Sequence, residues 1–293
     1  MMPTLGHLGF VSAKEKSRFN FSWWLAPLIG IVLLFLGELL GFFMSEGLGA
    51  ILPLDSDILE LLSFAAIILA VLLWAVVVEK APLDGLGLTK KGFLVSFLQG
   101  WFWGGLMLCS CVVLMLWTGS ARLTGTDFSQ ETLGRFLPLL LAWSIQGTAE
   151  EVLCRGWLFT SLATRYSKWI AILISAVFFT AMHLGNNGIE FIPLLDLFCF
   201  GVFGCLVMLK TNNLWVISGL HAAWNCFQGN VFAFPVSGTD VGSAFIHVSP
   251  QGPDWLSGGA FGVEGSVISV LVQTVLIVII SYQLFGPKAT ESL

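Results

Sequence analysis

The sequence predicts an all-α fold: a polytopic transmembrane helical bundle of about eight membrane helices. Three observations predict it. Only 11% of the 293 residues are charged and 56% are hydrophobic, where an ordinary soluble domain carries about 25% charge. Apolar runs close to the roughly 20 residues that cross a hydrocarbon core recur along the chain. The basic residues between those runs alternate in number from one connection to the next. The net charge of -5 is small and dispersed, so nucleic acid is not expected as a partner and membrane lipid is.

The apolar runs come in order. Span 1 covers residues 22-44, follows Lys14, Lys16 and Arg18, and reads as a retained membrane helix, not a cleaved leader. Span 2 covers 58-78 and span 3 covers 93-118. Span 3 contains Gly100-Trp101-Phe102-Trp103-Gly104, a GxxxG spacing that lets another helix approach closely. Span 4, 133-163, is long enough that it must tilt or project beyond the bilayer. Spans 5 to 8 cover 168-186, 191-209, 214-233 and 264-285. Between the last two, Phe234 to Val263 is rich in Pro and Gly, too polar to span, and reads as an irregular loop. No internal repeat is visible. The natural division is 1-120, holding helices 1-3, and 121-293, holding the core of helices 4-8.

The loops orient the bundle. Lys14, Lys16, Arg18, Lys80, Lys90, Lys91, Arg165, Lys168, Lys210 and Lys288 fall on one side if the spans alternate. Arg122 and Arg135 fall on the other, among several Asp and Glu. The positive-inside rule then places both termini in the cytoplasm. Cys109, Cys111, Cys154, Cys199, Cys205 and Cys226 all lie in apolar stretches with no CxxC pair, as buried small hydrophobes do. A disulfide framework or a Cys-based zinc site is not expected.

Function is sought in the polar residues that lipid should exclude. Span 4 holds Glu150, Glu151 and Arg155. Three such groups at mid-bilayer burden a helix by roughly 8-10 kcal/mol unless they find partners. Glu151 and Arg155 are four apart with the acid first, the favourable ion-pair order. Glu150 sits about 140° around the helix from Arg155. It is therefore left to face a cavity, while the ion pair holds helix position. In span 5, Phe179 and His183 share a face, and the ring can shield the imidazole. In span 7, His221 and Asn225 share a face in the same way. Each motif alone is also what helix-helix adhesion looks like. Together, on the fourth, fifth and seventh spans, they can converge on one buried polar chamber with a carboxylate base, imidazoles and an amide donor, a hydrolase-like set.

Glu150-Glu151-x-x-x-Arg155, Phe179-x-x-x-His183 and His221-x-x-x-Asn225 resemble, in order and rough spacing, the three motifs of the CPBP intramembrane proteases. That family includes type II CAAX prenyl endopeptidases and bacterial Abi proteins linked to bacteriocin processing or self-immunity. The likeness covers about residues 133-235, and Leu86 to Thr89 and Gly258 to Ser266 also look like bacterial members. The resemblance implies peptide-bond hydrolysis within the membrane, on a peptide or protein substrate. Glu150 would then be the general base that takes a proton from water. His183 would hold the attacking water. His221 and Asn225 would donate to the oxyanion, at roughly 3-4 kcal/mol per donor. Glu151 and Arg155 would support Glu150, and Phe179 would wall the site. Zinc is the one cofactor to consider: His183, His221 and Glu150 could bind it. No HExxH occurs, however, and Asn is an unusual zinc ligand, which favours a metal-independent glutamate mechanism.

Two other classes fit the same residues: a non-catalytic scaffold or immunity-type protein, and a transporter whose carboxylates relay protons. The absence of an inverted repeat speaks against transport. Counting along the spans also places His183 and His221 at depths differing by roughly 10 Å, which shared chemistry would have to reconcile.

Overall fold

A computed structural model describes residues 8–287. Lys288, one of the basic residues used to orient the bundle, lies outside the described residues. The chain opens with a short helix, α1 (Gly9–Lys14), followed by α2 (Leu25–Gly49). Helices α3 (Ser56–Ser63) and α4 (Ala65–Leu73) run on through a π turn, Trp74–Val78, and α5 covers Phe93–Thr118. Helix α6 (Gln130–Glu151) continues through a π-helical segment, Val152–Phe159, into α7 (Thr160–Ala163). Then come α8 (Lys168–Met182), α9 (Phe191–Thr211), α10 (Leu214–Cys226) with a π turn at Phe227–Val231, the short α11 (Asp254–Ser257) and α12 (Val267–Phe285).

Among the described residues, five helices are long and apolar enough to cross a membrane: Leu25–Gly49, Ser56–Val78, Phe93–Thr118, Phe191–Thr211 and Val267–Phe285. The other expected runs, 133-163, 168-186 and 214-233, correspond to α6 with α7, to α8 and to α10 with its π turn. Those are the segments that carry the ionisable and amide residues, or that are short. α8 ends at Met182, several residues before the expected boundary.

The all-α expectation needs one correction. Residues 121–126 and 246–250 form a two-stranded antiparallel sheet, β1 (Ala121–Thr126) and β2 (Ile246–Pro250). Its register runs from Ala121 opposite Pro250 to Thr126 opposite Ile246, with an irregularity between Leu123 and Gly125. β2 lies inside the stretch that reads as irregular loop. Strands of five and six residues are too short for alternation to stand out from the polar connections around them.

Two helices form the centre. In α10 every residue from Ile217 to Cys226 is buried, and so is every residue from Gln146 through the π segment to Ala163. A helix hidden on all sides needs small residues where neighbours cross it. The GxxxG of α5 supplies them: a Cβ on Gly100 would stand 1.9 Å from the Val216 carbonyl oxygen, and one on Gly104 2.1 Å from that of Leu220. Gly219 returns the contact, since its Cβ would stand 2.0 Å from the Phe97 carbonyl oxygen. On the other side Gly147 of α6 lies against Ala222, where a Cβ would meet the backbone nitrogen at 2.7 Å. α10 is thus pressed between α5 and α6, with His221 beside the carboxylates of α6. The peripheral helices turn Leu28, Val32, Phe35, Leu39 and Phe43 of α2, among others, outward, as lipid-facing surfaces require.

Candidate active site

Glu150 lies in the last α-helical turn of α6, and its two oxygens differ. Oε1 accepts from Gln146 Nε2 at 2.6 Å. Oε2 is buried with no hydrogen-bond partner. His183 Nε2 and His221 Nε2 lie 3.9 and 3.8 Å from it. Those separations exceed a hydrogen bond and suit a small bridging molecule.

Both imidazoles are held from behind. His183 caps the C-terminus of α8, and its Nδ1 lies 2.9 Å from the Phe179 carbonyl oxygen. A carbonyl only accepts, so Nδ1 carries the proton and a neutral ring leaves an Nε2 lone pair facing Glu150. His221 Nδ1 lies 2.8 Å from Glu151 Oε1 and donates to that carboxylate. Its Nε2 therefore faces the same oxygen as that of His183. The i, i+4 spacing of Phe179 and His183 thus carries a backbone hydrogen bond as well as a ring contact, at 4.9 Å between centroids.

Glu151 has no exposure, and its Oε1 receives Arg155 Nη1 at 2.8 Å as well as His221. The ion pair expected from spacing is present, and it bears on His221, not on Glu150. Arg155 Nη2 also donates to the Phe200 carbonyl oxygen at 3.2 Å. The guanidinium stacks over the Phe179 ring at 4.3 Å. A Cβ at Gly204 would come within 2.9 Å of Arg155 Nε, so a glycine makes room for it. The Phe179 ring also meets His221, at 5.9 Å between centroids, and Phe200 sits 4.9 Å from His221. Phe179 and Phe200 therefore wall both imidazoles.

Asn225 Nδ2 donates to Gln146 Oε1 at 2.9 Å, and Gln146 passes the bond to Glu150. Gln146 bridges Asn225 to Glu150 and lines the same cavity, and sequence reasoning missed it. Its signal was available: it stands four before Glu150, at the same spacing as the motifs that were recognised. Glu150, His183, His221 and Asn225 all line one cavity of about 250 Å³, together with Gln146 and Phe179.

The offset of roughly 10 Å that counting along the spans suggests is not observed: α8 ends at Met182, and His183 Nε2 and His221 Nε2 stand 3.9 and 3.8 Å from the same Glu150 oxygen.

The donor set does not fit zinc. Among the described residues no three or more His, Cys, Asp and Glu side chains group to hold a metal ion. The separations of 3.8 and 3.9 Å from Glu150 Oε2 to the two Nε2 atoms exceed the about 3.3 Å between ligands of a tetrahedral zinc with bonds near 2.0 Å.

Comparison with known proteins adds one finding. Residues 132–227 match the family model described as "Type II CAAX prenyl endopeptidase Rce1-like". The matched segment contains every motif residue named above. No curated protein matches the chain.

Proposed function

We infer, from the match of residues 132–227 to the type II CAAX prenyl endopeptidase family model, that this chain cleaves peptide bonds of membrane-associated peptides or proteins with a water activated by Glu150. The observation that carries the mechanism is the bare Glu150 Oε2, faced by two imidazole Nε2 atoms at 3.9 and 3.8 Å.

A water donates one proton to Glu150 Oε2 as its oxygen attacks the scissile carbonyl carbon. His183 Nε2 accepts the water's other hydrogen and fixes its direction. General base catalysis of this kind is worth about 10²–10⁴-fold. The carbonyl oxygen becomes an oxyanion. Asn225 has two amide hydrogens, of which one is spent on Gln146, and the other donates to that oxyanion. A protonated His221 donates from Nε2, with its positive charge held by Glu151 behind it. Glu150 then returns its proton to the leaving amine, so one water is consumed and one acid and one amine are formed.

The eight-span reading adds α6 with α7, α8 and α10 with its π turn to the five long apolar helices. Residues 121-293 then form the catalytic core, 1-120 support it, and both termini lie in the cytoplasm. The supporting feature is the alternation of basic loops. The test is mass-spectrometric profiling of membrane-anchored peptides, a prenylated CAAX peptide among them, with purified wild type and Glu150→Gln. Products from the wild type alone are expected. Equal cleavage by both proteins, or cleavage by neither, overturns the reading.

A further inference from the structure

The segment that follows α10 folds back over the cavity, and one carboxylate holds it there. Ser237, Thr239, Asp240 and Val241 line the cavity from this segment, and Glu264 lines it from the turn before α12. Glu264 is only 6% exposed. Its Oε2 accepts from the Ser237 backbone N–H and from Ser237 Oγ, each at 2.8 Å, and from Gln228 Nε2 at 3.4 Å. Its Oε1 accepts from Trp224 Nε1 at 3.0 Å. Four donors converge on two oxygens. An ionised carboxylate, which only accepts, satisfies all of them; a carboxamide, with two donors of its own, cannot.

The backbone around Glu264 is built for this contact. Gly262 has φ 93°, and a Cβ there would stand 1.9 Å from the Pro235 carbonyl oxygen. Only a glycine lets the turn pass that close beneath the segment. Ser237 itself has φ 48°, a left-handed conformation that disfavours non-glycine residues and persists only where its surroundings hold it. The hold comes from both ends of the residue. Glu264 takes the N–H and the hydroxyl, and Asn186 Nδ2 donates to the Ser237 carbonyl oxygen at 2.8 Å. The Asn186 N–H in turn donates to the His183 carbonyl oxygen at 3.0 Å. Trp224, on the other oxygen of Glu264, immediately precedes Asn225. One side chain therefore ties the cavity roof to the helix bearing His221 and Asn225, and Ser237 links it on to the turn that follows His183.

We propose that Glu264 is a positioning residue: it fixes residues 236–241 as the roof of the cavity and so sets where a substrate lies beside Glu150. The kinetic consequence rests on the endopeptidase reading, whereas the ordering of the roof does not. In Glu264→Gln an amide NH₂ replaces one oxygen and meets the Ser237 or the Trp224 donor. Removing an acceptor from a buried donor is a loss on the order of tenfold or more. The expected result is a KM for a membrane-anchored peptide raised about tenfold with kcat per folded molecule changed less than about twofold, the pattern of lost binding in both ground and transition state. Amide hydrogen exchange across residues 236–241 should quicken about tenfold, with residues 217–226 unchanged. Ser237→Ala, which keeps the carboxylate and removes one donor, should move both readouts the same way by less, and it carries the test if Glu264→Gln does not fold. Unchanged exchange in 236–241, or a kcat that falls at constant KM, overturns the proposal. If the wild type cleaves nothing, the endopeptidase reading fails, and the exchange comparison still decides the role of Glu264.

Discussion

Glu79 and Glu150 are both buried carboxylates in a chain made mostly of apolar helices, and their surroundings are opposite. Glu79, just past the π turn that follows α4, has no exposure and every side of it is filled. Lys14 Nζ lies 2.5 Å from one oxygen, and Trp74 Nε1 and Trp157 Nε1 donate to the other at 2.6 and 2.5 Å. That node fastens α1, whose Phe10 and Val11 are also buried, to the end of α4 and to the π segment after α6. Glu150 has one neutral donor, Gln146, on one oxygen, and its other oxygen borders a cavity. A buried carboxylate with donors on both oxygens and no cavity beside it is structural. One with an unpartnered oxygen on a cavity has a place for a proton from something else.

Exchange of single groups in the two regions should separate the two roles. The largest effect is expected from Glu150→Gln, which keeps the size and the neighbourhood of Gln146 but removes the base. The rate constant for peptide cleavage should fall about 10²–10⁴-fold with little change in the unfolding midpoint in detergent. Lys14→Ala should do the reverse. Breaking a buried ion pair from one side is a loss of about 3–5 kcal/mol of stability, read by thermal unfolding, while cleavage per folded molecule stays near wild type. If Lys14→Ala instead abolished cleavage in a fully folded protein, the division between the two carboxylates would be wrong. Asn225→Ala comes next: loss of an oxyanion donor should lower kcat about 10²–10³-fold, with part of the effect arising from the freed Gln146. A single-turnover cleavage rate equal to that of the wild type would remove Asn225 from the chemistry. The smallest effect is expected from exhaustive chelation, which should leave the cleavage rate unchanged; loss of activity restored by zinc would show that His183 and His221 close on a metal.

What the sequence made legible follows from what lipid penalises. Glu150, Glu151, Arg155, His183 and His221 stand out because charge or imidazole within an apolar run demands a partner, and helical spacing limits which partners share a face. Gln146 carries no charge, so it drew no notice although it links Asn225 to Glu150. Glu79 sits at the end of a span next to Lys80, where a charge is ordinary. Glu264 stands at the very start of the expected span 8, after a Gly-rich stretch, where a charge is ordinary, and nothing local reveals that Ser237 and Trp224 converge on it. The pairing of Glu151 with His221 was equally hidden, because spacing constrains contacts within a helix and says nothing about which helix comes alongside. The same holds for β1 and β2, whose partner strands are more than a hundred residues apart.

The crossing of α5 and α10 has a consequence for how much wear this sequence can bear. At Gly100, Gly104 and Gly219 bare main chain rests on bare main chain, so there is no compressible hydrocarbon to absorb an added methyl. Any such change must be taken up by sliding α10 bodily, and His221 and Asn225 ride on that rod. Three hydrogen atoms standing in for side chains thus act as the gauge blocks of the cavity, and drift at those positions would be felt first as misalignment and only afterwards as loss of fold.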